Sequence, residues 1–459
     1  MARERLAYLC RDCGAGFTKW QGQCPQCQAW NSIDAAPPGV APAAGKARNN
    51  AVGYAGVLPE VLTLAEVSLD ELPRLATGSG EFDRVLGGGL VPGSVVLVGG
   101  DPGIGKSTLL LQTLCRMGAE RKALYVTGEE SPQQVTLRAH RLGLSSDGLR
   151  LLAETDVERI CTLAAREAPP VMVIDSIQTL RVAEASGAPG GVTQIRESAA
   201  WLTRYAKQSG CAVFLVGHVT KSGEVAGPRV LEHIVDTVLY LEGRNDDRYR
   251  MLRATKNRFG AVNELGVFAM TEQGMREVRN PSAIFLNRSG TPSPGSAVLA
   301  VWDGSRPLLL EIQALLDASH LGSPRRVAVG LDSNRLAMLL AVLHRHGGIQ
   351  ASDQDVFVNV VGGVRITETG ADLALLLAMV SSLRNAALPV DLVAFGEVGL
   401  AGEIRPVPNG SERLQEAAKH GFRHAIVPRG NAPKNGIAGM RIVTVERLTD
   451  ALEALREAL

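Results

Sequence analysis

The sequence predicts an α/β protein: a largely parallel sheet with helices on both faces, a small cysteine-bearing unit ahead of it and a second α/β part behind it. Three observations predict this. Short apolar strands at 95–98, 123–126, 171–174, 212–216 and 238–241 alternate with helical patterns, the rhythm of parallel strands joined by helical crossovers. Four of the seven cysteines fall in the first 27 residues. At 459 residues the chain is too long for one ordinary core, which suggests roughly two to four domains.

Composition narrows the class. With 45% hydrophobic and 21% charged residues, a mainly disordered chain is excluded. The longest strongly apolar stretch, 373–380, follows Asp372 and has eight residues, whereas a membrane helix needs about 20. Residues 1–8 contain no apolar run of secretory length, so the expected compartment is the cytoplasm, with no membrane partner. Net charge is +1, so no global field draws the chain to nucleic acid, and any such contact must come from local basic clusters.

Read in order, residues 1–33 form the cysteine unit and 34–61 an Ala-, Pro- and Gly-rich flexible linker. Residues 62–279 carry the strand–helix alternation. A Pro- and Gly-rich stretch at 280–295 opens the last part, 280–459, with helices expected at 334–346 and 371–384. In the first unit, Cys10-x-x-Cys13 and Cys24-x-x-Cys27 are separated by ten residues. Each pair can wrap one side of a metal, and four thiolates complete a tetrahedral Zn2+ site. So short a unit buries too little apolar surface to fold alone, so the metal supplies its folding energy. Nothing in the pattern decides whether this finger touches nucleic acid or protein. Cys115, Cys161 and Cys211 lie in apolar contexts and read as core.

Gly100-Asp101-Pro102-Gly103-Ile104-Gly105-Lys106-Ser107-Thr108 follows an apolar strand and opens a helical run. Its backbone N–H groups would cradle phosphates, Lys106 would neutralise the β- and γ-oxygens, and Ser107 would hold Mg2+. This is a nucleoside triphosphate site. The strand at 171–174 delivers Asp175, which fits a carboxylate acting on Mg2+ and its waters. The strand at 123–126 leads to Glu129 and Glu130, one of which could orient and deprotonate the attacking water. The strand at 212–216 leads to His218, at the sheet edge where a polar group can sense hydrolysis; a satisfied structural histidine is the alternative.

The order Thr77-Gly78-x-x-Glu81-Phe82-Asp83, Gly87-Gly88-Gly89, the phosphate loop and then Tyr125-Val126-Thr127-Gly128-Glu129-Glu130-Ser131 resembles the RecA superfamily. The four-cysteine finger and Lys256-Asn257-Arg258-Phe259-Gly260 narrow the resemblance to the bacterial RadA (Sms) family of DNA repair proteins, over nearly the whole chain. The resemblance implies a DNA-dependent ATPase, forming hexameric rings, that promotes branch migration of recombination intermediates in the nucleoid. ATP, Mg2+ and Zn2+ are its implied cofactors. Single-stranded and branched DNA are its implied partners, with a recombinase or a replicative helicase beside it. It also implies Glu129 as general base, with Glu130 the near alternative, and Lys256 and Arg258 as cations reaching a neighbouring subunit's nucleotide. The segment 219–229 corresponds to the mobile DNA loop of that fold.

Residues from about 350 onward resemble the proteolytic domain of Lon. Aligned with the Lon motifs, Gly370 stands near the nucleophilic serine and Ser411 near the base lysine. The resemblance thus implies a Lon-protease-like scaffold without a nucleophile–base pair, used for ring assembly and DNA contact. Arg325, Arg326, Arg345 and Arg365 are candidate phosphate contacts there. A Lon-type protease is disfavoured by Gly370 and Ser411, and a clock-protein type of signalling ATPase by the finger and the pentapeptide.

Overall fold

The computed structural model describes residues 8–10, 16–17, 19–25, 28–35, 73–118, 122–145, 147–218, 230–243, 248–286, 291–320 and 323–458. The described residues up to 35 form one compact unit and those from 73 onward another.

In the first unit, β1 (Tyr8–Cys10) pairs antiparallel with β2 (Gly16–Phe17) and with β3 (Ile33–Ala35). Among the described residues its core is Cys10, Cys24 and Ile33, with Tyr8 and Phe17 against them. Two of those three buried side chains are cysteines, which suits a metal-held knuckle better than an apolar fold.

In the second unit the predicted alternation becomes α1 (Gly80–Val85), β4 (Val95–Gly100), α2 (Lys106–Gly118), β5 (Ala123–Thr127), α3 (Pro132–Arg141), β6 (Leu149–Ala153), α4 (Val157–Glu167), β7 (Val171–Asp175), α5 (Val192–Ser209), β8 (Ala212–Val216) and β9 (Thr237–Glu242). Antiparallel strands follow: β10 (Tyr249–Asn257), β11 (Leu265–Thr271) and β12 (Gly274–Glu277). The sheet order is β12-β11-β10-β9-β4-β8-β7-β5-β6, parallel from β9 to β6. Strand alternation explains the two helical layers. Val96, Val98, Tyr125, Val173 and Phe214 enter one core with α1 and α2, while Val95, Leu97, Val126, Ile174 and Leu215 enter the other with α4 and α5. Both faces of these strands are therefore dry, and their sequences read as unbroken apolar runs. Local signals set the helix starts: Ser79, Ser131 (with Gln134 closing a capping box) and Asp156 accept from backbone N–H groups.

The chain then passes through the short α6 (Ser282–Phe285) into the long hairpin β13 (Ser296–Asp303) and β14 (Arg306–Ala318). There follow β15 (Arg326–Val329), α7 (Ser333–Gly347), β16 (Gln354–Val360), α8 (Asp372–Leu383), β17 (Leu392–Ala394), β18 (Glu397–Val398), β19 (Ile404–Arg405), α9 (Gly410–Lys419), β20 (His424–Pro428), β21 (Arg441–Val445) and α10 (Leu448–Ala458). Their mixed sheet has the order β15-β16-β14-β13-β17-β20-β21. The apolar run noted in the sequence is α8, and residues 372 to 381 of it are all buried. It is a central helix of the core, and no helix among the described residues is long and apolar enough to cross a membrane.

The two sheets are not separately packed. Met251 of β10 and Leu265 and Val267 of β11 belong to the same core as β13, β14 and α8. Arg306 makes a bidentate ion pair with the buried Glu81 of α1 (2.9 and 2.8 Å), and Arg253 another with Asp303 (2.8 and 3.3 Å). The sheets before and after the Pro- and Gly-rich boundary at 280–295 thus share a core.

Candidate active site

Four parallel strands deliver their C-terminal ends to one sheet edge. β4 ends at Gly100, whose φ is +149° and where a Cβ would lie 2.6 Å from the Leu241 carbonyl oxygen. Only glycine fits there, and the chain turns directly into α2. Lys106 at its start is buried, and its Nζ donates to the carbonyls of Gly100 (2.8 Å) and Asp101 (2.9 Å). Burial lowers its pKa to about 8, against the opposing pull of Asp175, Asp101 and Glu129. Asp101, Pro102 and Gly103 are exposed, Ile104 is buried, and Gly105, Ser107 and Thr108 are half-buried. The loop therefore presents its backbone outward with a cation beneath it.

Asp175 ends β7, and its Oδ2 accepts the hydroxyl of Tyr125, a fully buried side chain of β5. Burial first, then the Asp175 charge, pushes the Tyr125 phenol well above its usual range, so it remains a donor. Ser107 and Asp175 offer a hydroxyl and a carboxylate, the hard oxygen donors that Mg2+ prefers, and Tyr125 leaves Asp175 Oδ1 for that purpose.

The structure separates the two glutamates. Glu129 is exposed at the sheet edge, its Oε1 accepting the Ser176 hydroxyl and lying 3.4 Å from His218 Nε2. The His218 contact first, then Ser176 and the Lys106 charge, hold its pKa down to about 2 despite partial burial. Glu130 turns away: its backbone N–H donates to Thr127 Oγ1 (3.0 Å), and its carboxylate pairs with Arg138 of α3. His218 keeps a buried Nδ1 with no hydrogen-bond partner among the described residues.

Lys256 and Arg258 are not at this edge. Asn257 is level with Thr237 of β9, and Thr237 with Val96 of β4, four residues before Gly100. At ~3.3 Å per residue that is ~13 Å along the strand from the phosphate loop. Lys256 Nζ donates to the Val235 carbonyl (2.8 Å) and that of Glu232. Arg258, exposed, reaches Asp236 (3.1 Å), a buried carboxylate also held by Lys207 (2.7 Å). The pentapeptide packs on the triple-glycine turn: Asn257 Nδ2 donates to Val85 O at 3.4 Å, and Arg74 to Phe259 O at 2.6 Å.

In the first unit, Cys10 and Cys24 are buried, and Gln28 N–H donates to Cys24 O (2.8 Å) while Cys24 N–H donates to Ala29 O (2.9 Å). Buried sulfurs beside such hydrogen bonds fit a thiolate zinc site. Cys13 and Cys27 lie outside the described residues, as do 219–229. No cluster of three metal-ligating side chains occurs among the described residues.

At the Lon-like motifs, Gly370 precedes α8 and Ser411 lies in the first turn of α9. Between those elements sits Arg413, wholly buried, paired bidentately with Glu368 (2.7 and 2.7 Å) and donating to the carbonyls of Ala300 (2.6 Å) and Pro408 (3.0 Å). A Cβ at Gly370 would stand 3.3 Å from the Glu368 carboxylate and 3.5 Å from the Arg413 guanidinium. Asp372 is likewise buried and paired with Arg335. Of the candidate phosphate contacts, Arg325 is bound to Asp355 (2.9 and 2.7 Å) and Arg326 to backbone carbonyls, while Arg345 and Arg365 are exposed.

The sequence reading missed Tyr125, Ser176, Arg138 and Arg250, the last a buried arginine whose Nε donates to the Ile104 carbonyl of the phosphate loop (3.2 Å). Arg250 left no distinguishing signal, because β10 also carries Arg253 and Lys256.

The fold and this edge define a P-loop ATPase. A family model described as AAA domain matches residues 74–224; models described as rubredoxin metal binding domain and as subunit ChlI of Mg-chelatase match residues 8–35 and 311–431. Along its whole length the chain is similar to the DNA repair protein RadA of Pseudomonas aeruginosa (63% identical over 457 residues, 100% of both chains). It is also similar to those of Escherichia coli K12 (63% over 451, 98% of both) and Bacillus subtilis 168 (45% over 461, 100% of both). The chain belongs to the RadA family of DNA repair proteins.

Proposed function

We propose that this chain is a DNA-dependent ATPase that acts in recombinational DNA repair, driving branch migration as a homo-oligomeric, six-membered ring in the bacterial cytoplasm. The observation that carries this reading is the strand register. The phosphate loop and its carboxylates lie at one edge of the sheet, while Lys256 and Arg258 lie some four residues of strand away, beyond reach of their own nucleotide. A neighbouring subunit supplies the missing cations, so hydrolysis is tied to subunit contact.

Within one subunit, the loop 100–105 and the start of α2 bind the triphosphate, and Lys106 leaves its carbonyl partners for the β- and γ-oxygens. Ser107 and Asp175 hold Mg2+, which supplies charge neutralisation of the phosphates. Glu129 takes the proton of the attacking water, and His218 beside it reports on the state of the γ-phosphate. Glu130 is committed to Arg138 and serves the start of α3. Segment 219–229, with Gly and Lys and no aromatics, grips the DNA backbone by charge, so the contact is salt-sensitive. Cys10, Cys13, Cys24 and Cys27 hold Zn2+. The C-terminal part is a scaffold without peptidase activity, because Gly370 and Ser411 offer no nucleophile–base pair.

The test is the ATPase rate with and without single-stranded DNA across a salt series. Stimulation that fades as salt rises is expected, and a rate indifferent to DNA at every salt concentration overturns the reading. Metal content per chain, expected at one zinc, checks the finger.

A further inference from the structure

We infer that Ser176 is a positioning residue for ATP hydrolysis, acting through Glu129, an inference that rests on reading Glu129 as the general base. The Ser176 hydroxyl and His218 Nε2 converge on the same oxygen, Oε1, of Glu129. Among the described residues, the contacts to Glu129 fall on Oε1, which leaves Oε2 for the attacking water. A hydroxyl donor and an imidazole nitrogen against one carboxylate oxygen fix the plane of the group, and the direction of its other lone pairs is fixed with it.

The backbone around Ser176 is built to hold this contact. Ser176 is fully buried, at the turn that follows β7. Gly128 N–H donates to the Asp175 carbonyl (2.9 Å), which locks the end of β5 to the end of β7 and places Glu129 opposite Ser176. Thr179 Oγ1 donates to the Ser176 carbonyl (2.8 Å) and occupies the space where a side chain on residue 128 would lie. Glycine at 128 is therefore what lets the two strand ends approach. The serine lies 47 positions along the chain from its glutamate, and only the parallel pairing of β5 with β7 brings them together.

In the step itself, water gives a proton to Glu129 Oε2 and its oxygen bonds to the γ-phosphorus. The bond from that phosphorus to the β–γ bridging oxygen breaks, and its electron pair leaves with ADP. The glutamic acid then returns its proton to solvent. Ser176 neither gains nor loses a proton overall; it keeps the base aimed.

The experiment uses the full chain, with saturating Mg2+ and single-stranded DNA. Ser176→Ala is expected to lower kcat about tenfold or more, while KM and the affinity for a fluorescent ATP analogue stay within about twofold. In single-turnover assays, adding Ser176→Ala to Glu129→Gln is expected to cost nothing further, since the residue acts through a base already removed. An unchanged kcat, an equal loss in the Glu129→Gln background, or nucleotide affinity falling in step with kcat each overturns the inference. Should the alanine variant not fold, Ser176→Cys, which keeps a weak donor of similar size, is read by the same criteria. Full activity of Glu129→Gln alone would instead remove the general-base reading, and Ser176 with it.

Discussion

The two sheets each end in a cluster of charge, and the clusters are built in opposite ways. At the ATPase edge, Lys106 rests on carbonyls that nucleotide can replace, Glu129 is exposed, and His218 Nδ1 has no partner among the described residues. In the C-terminal part, Glu368 and Arg413 form a bidentate pair, and further carbonyls saturate the guanidinium. Asp372 is similarly engaged by Arg335 and by the Val398 N–H at 3.0 Å. Unsatisfied groups cost stability and are kept where chemistry will use them, whereas a saturated buried pair has nothing left to offer a substrate. The contrast separates a working site from a structural one without reference to motifs.

Variants can break this contrast, the largest effect first. Lys106→Ala is expected to lower phosphate release by about 10²-fold or more, because the γ-phosphate loses its fixed counter-charge, with little change in melting temperature. Full turnover in that variant would refute the site. Next, Lys256→Ala and Arg258→Ala should each cut DNA-coupled hydrolysis steeply while zinc content stays intact. Mixing Lys256→Ala with Lys106→Ala subunits should rebuild about a quarter of the sites in a randomly mixed head-to-tail ring; a mixture as inactive as its components would place the cations in cis.

Arg413→Ala should act the other way. Removing the wholly buried Arg413 and leaving the half-buried Glu368 unpaired costs up to about 3 kcal/mol of stability, read as a fall in the denaturation midpoint, with kcat per folded chain preserved. A lost kcat in chains that remain folded would turn the saturated pair into a functional one. The smallest effect is with pH. Lys106 is cationic below its folded pKa of about 8, so kcat/KM should be level below that and fall by about tenfold per unit above it. Glu129, held down to about 2, should stay ionised and contribute no loss between pH 5 and 7.

Much of this was legible in the sequence because it is local. The strands expected at 95–98, 123–126, 171–174 and 238–241 appear as β4, β5, β7 and β9 with one or two residues added, and 212–216 is β8 unchanged. The helices expected at 334–346 and 371–384 are α7 and α8. The phosphate loop is contiguous, so its shape could be read directly. What stayed hidden depends on distant pairing. Tyr125 meets Asp175 across 50 residues, Arg250 meets Ile104 across 146, and Arg413 meets Ala300 across 113. The division of labour between Glu129 and Glu130 was hidden for the same reason, since it depends on Ser176 and His218 for one and on Arg138 for the other. No spacing rule tells which of two adjacent carboxylates a fold will turn outward.

The common core of β10, β11 and the C-terminal hairpin has a practical consequence. Cutting the chain after residue 286 would strip Met251, Leu265 and Val267 of their covering and take Arg306 from Glu81 and Asp303 from Arg253. The piece made that way would carry a raw, adhesive flank with two weakened ion pairs. It would aggregate before it could be assayed.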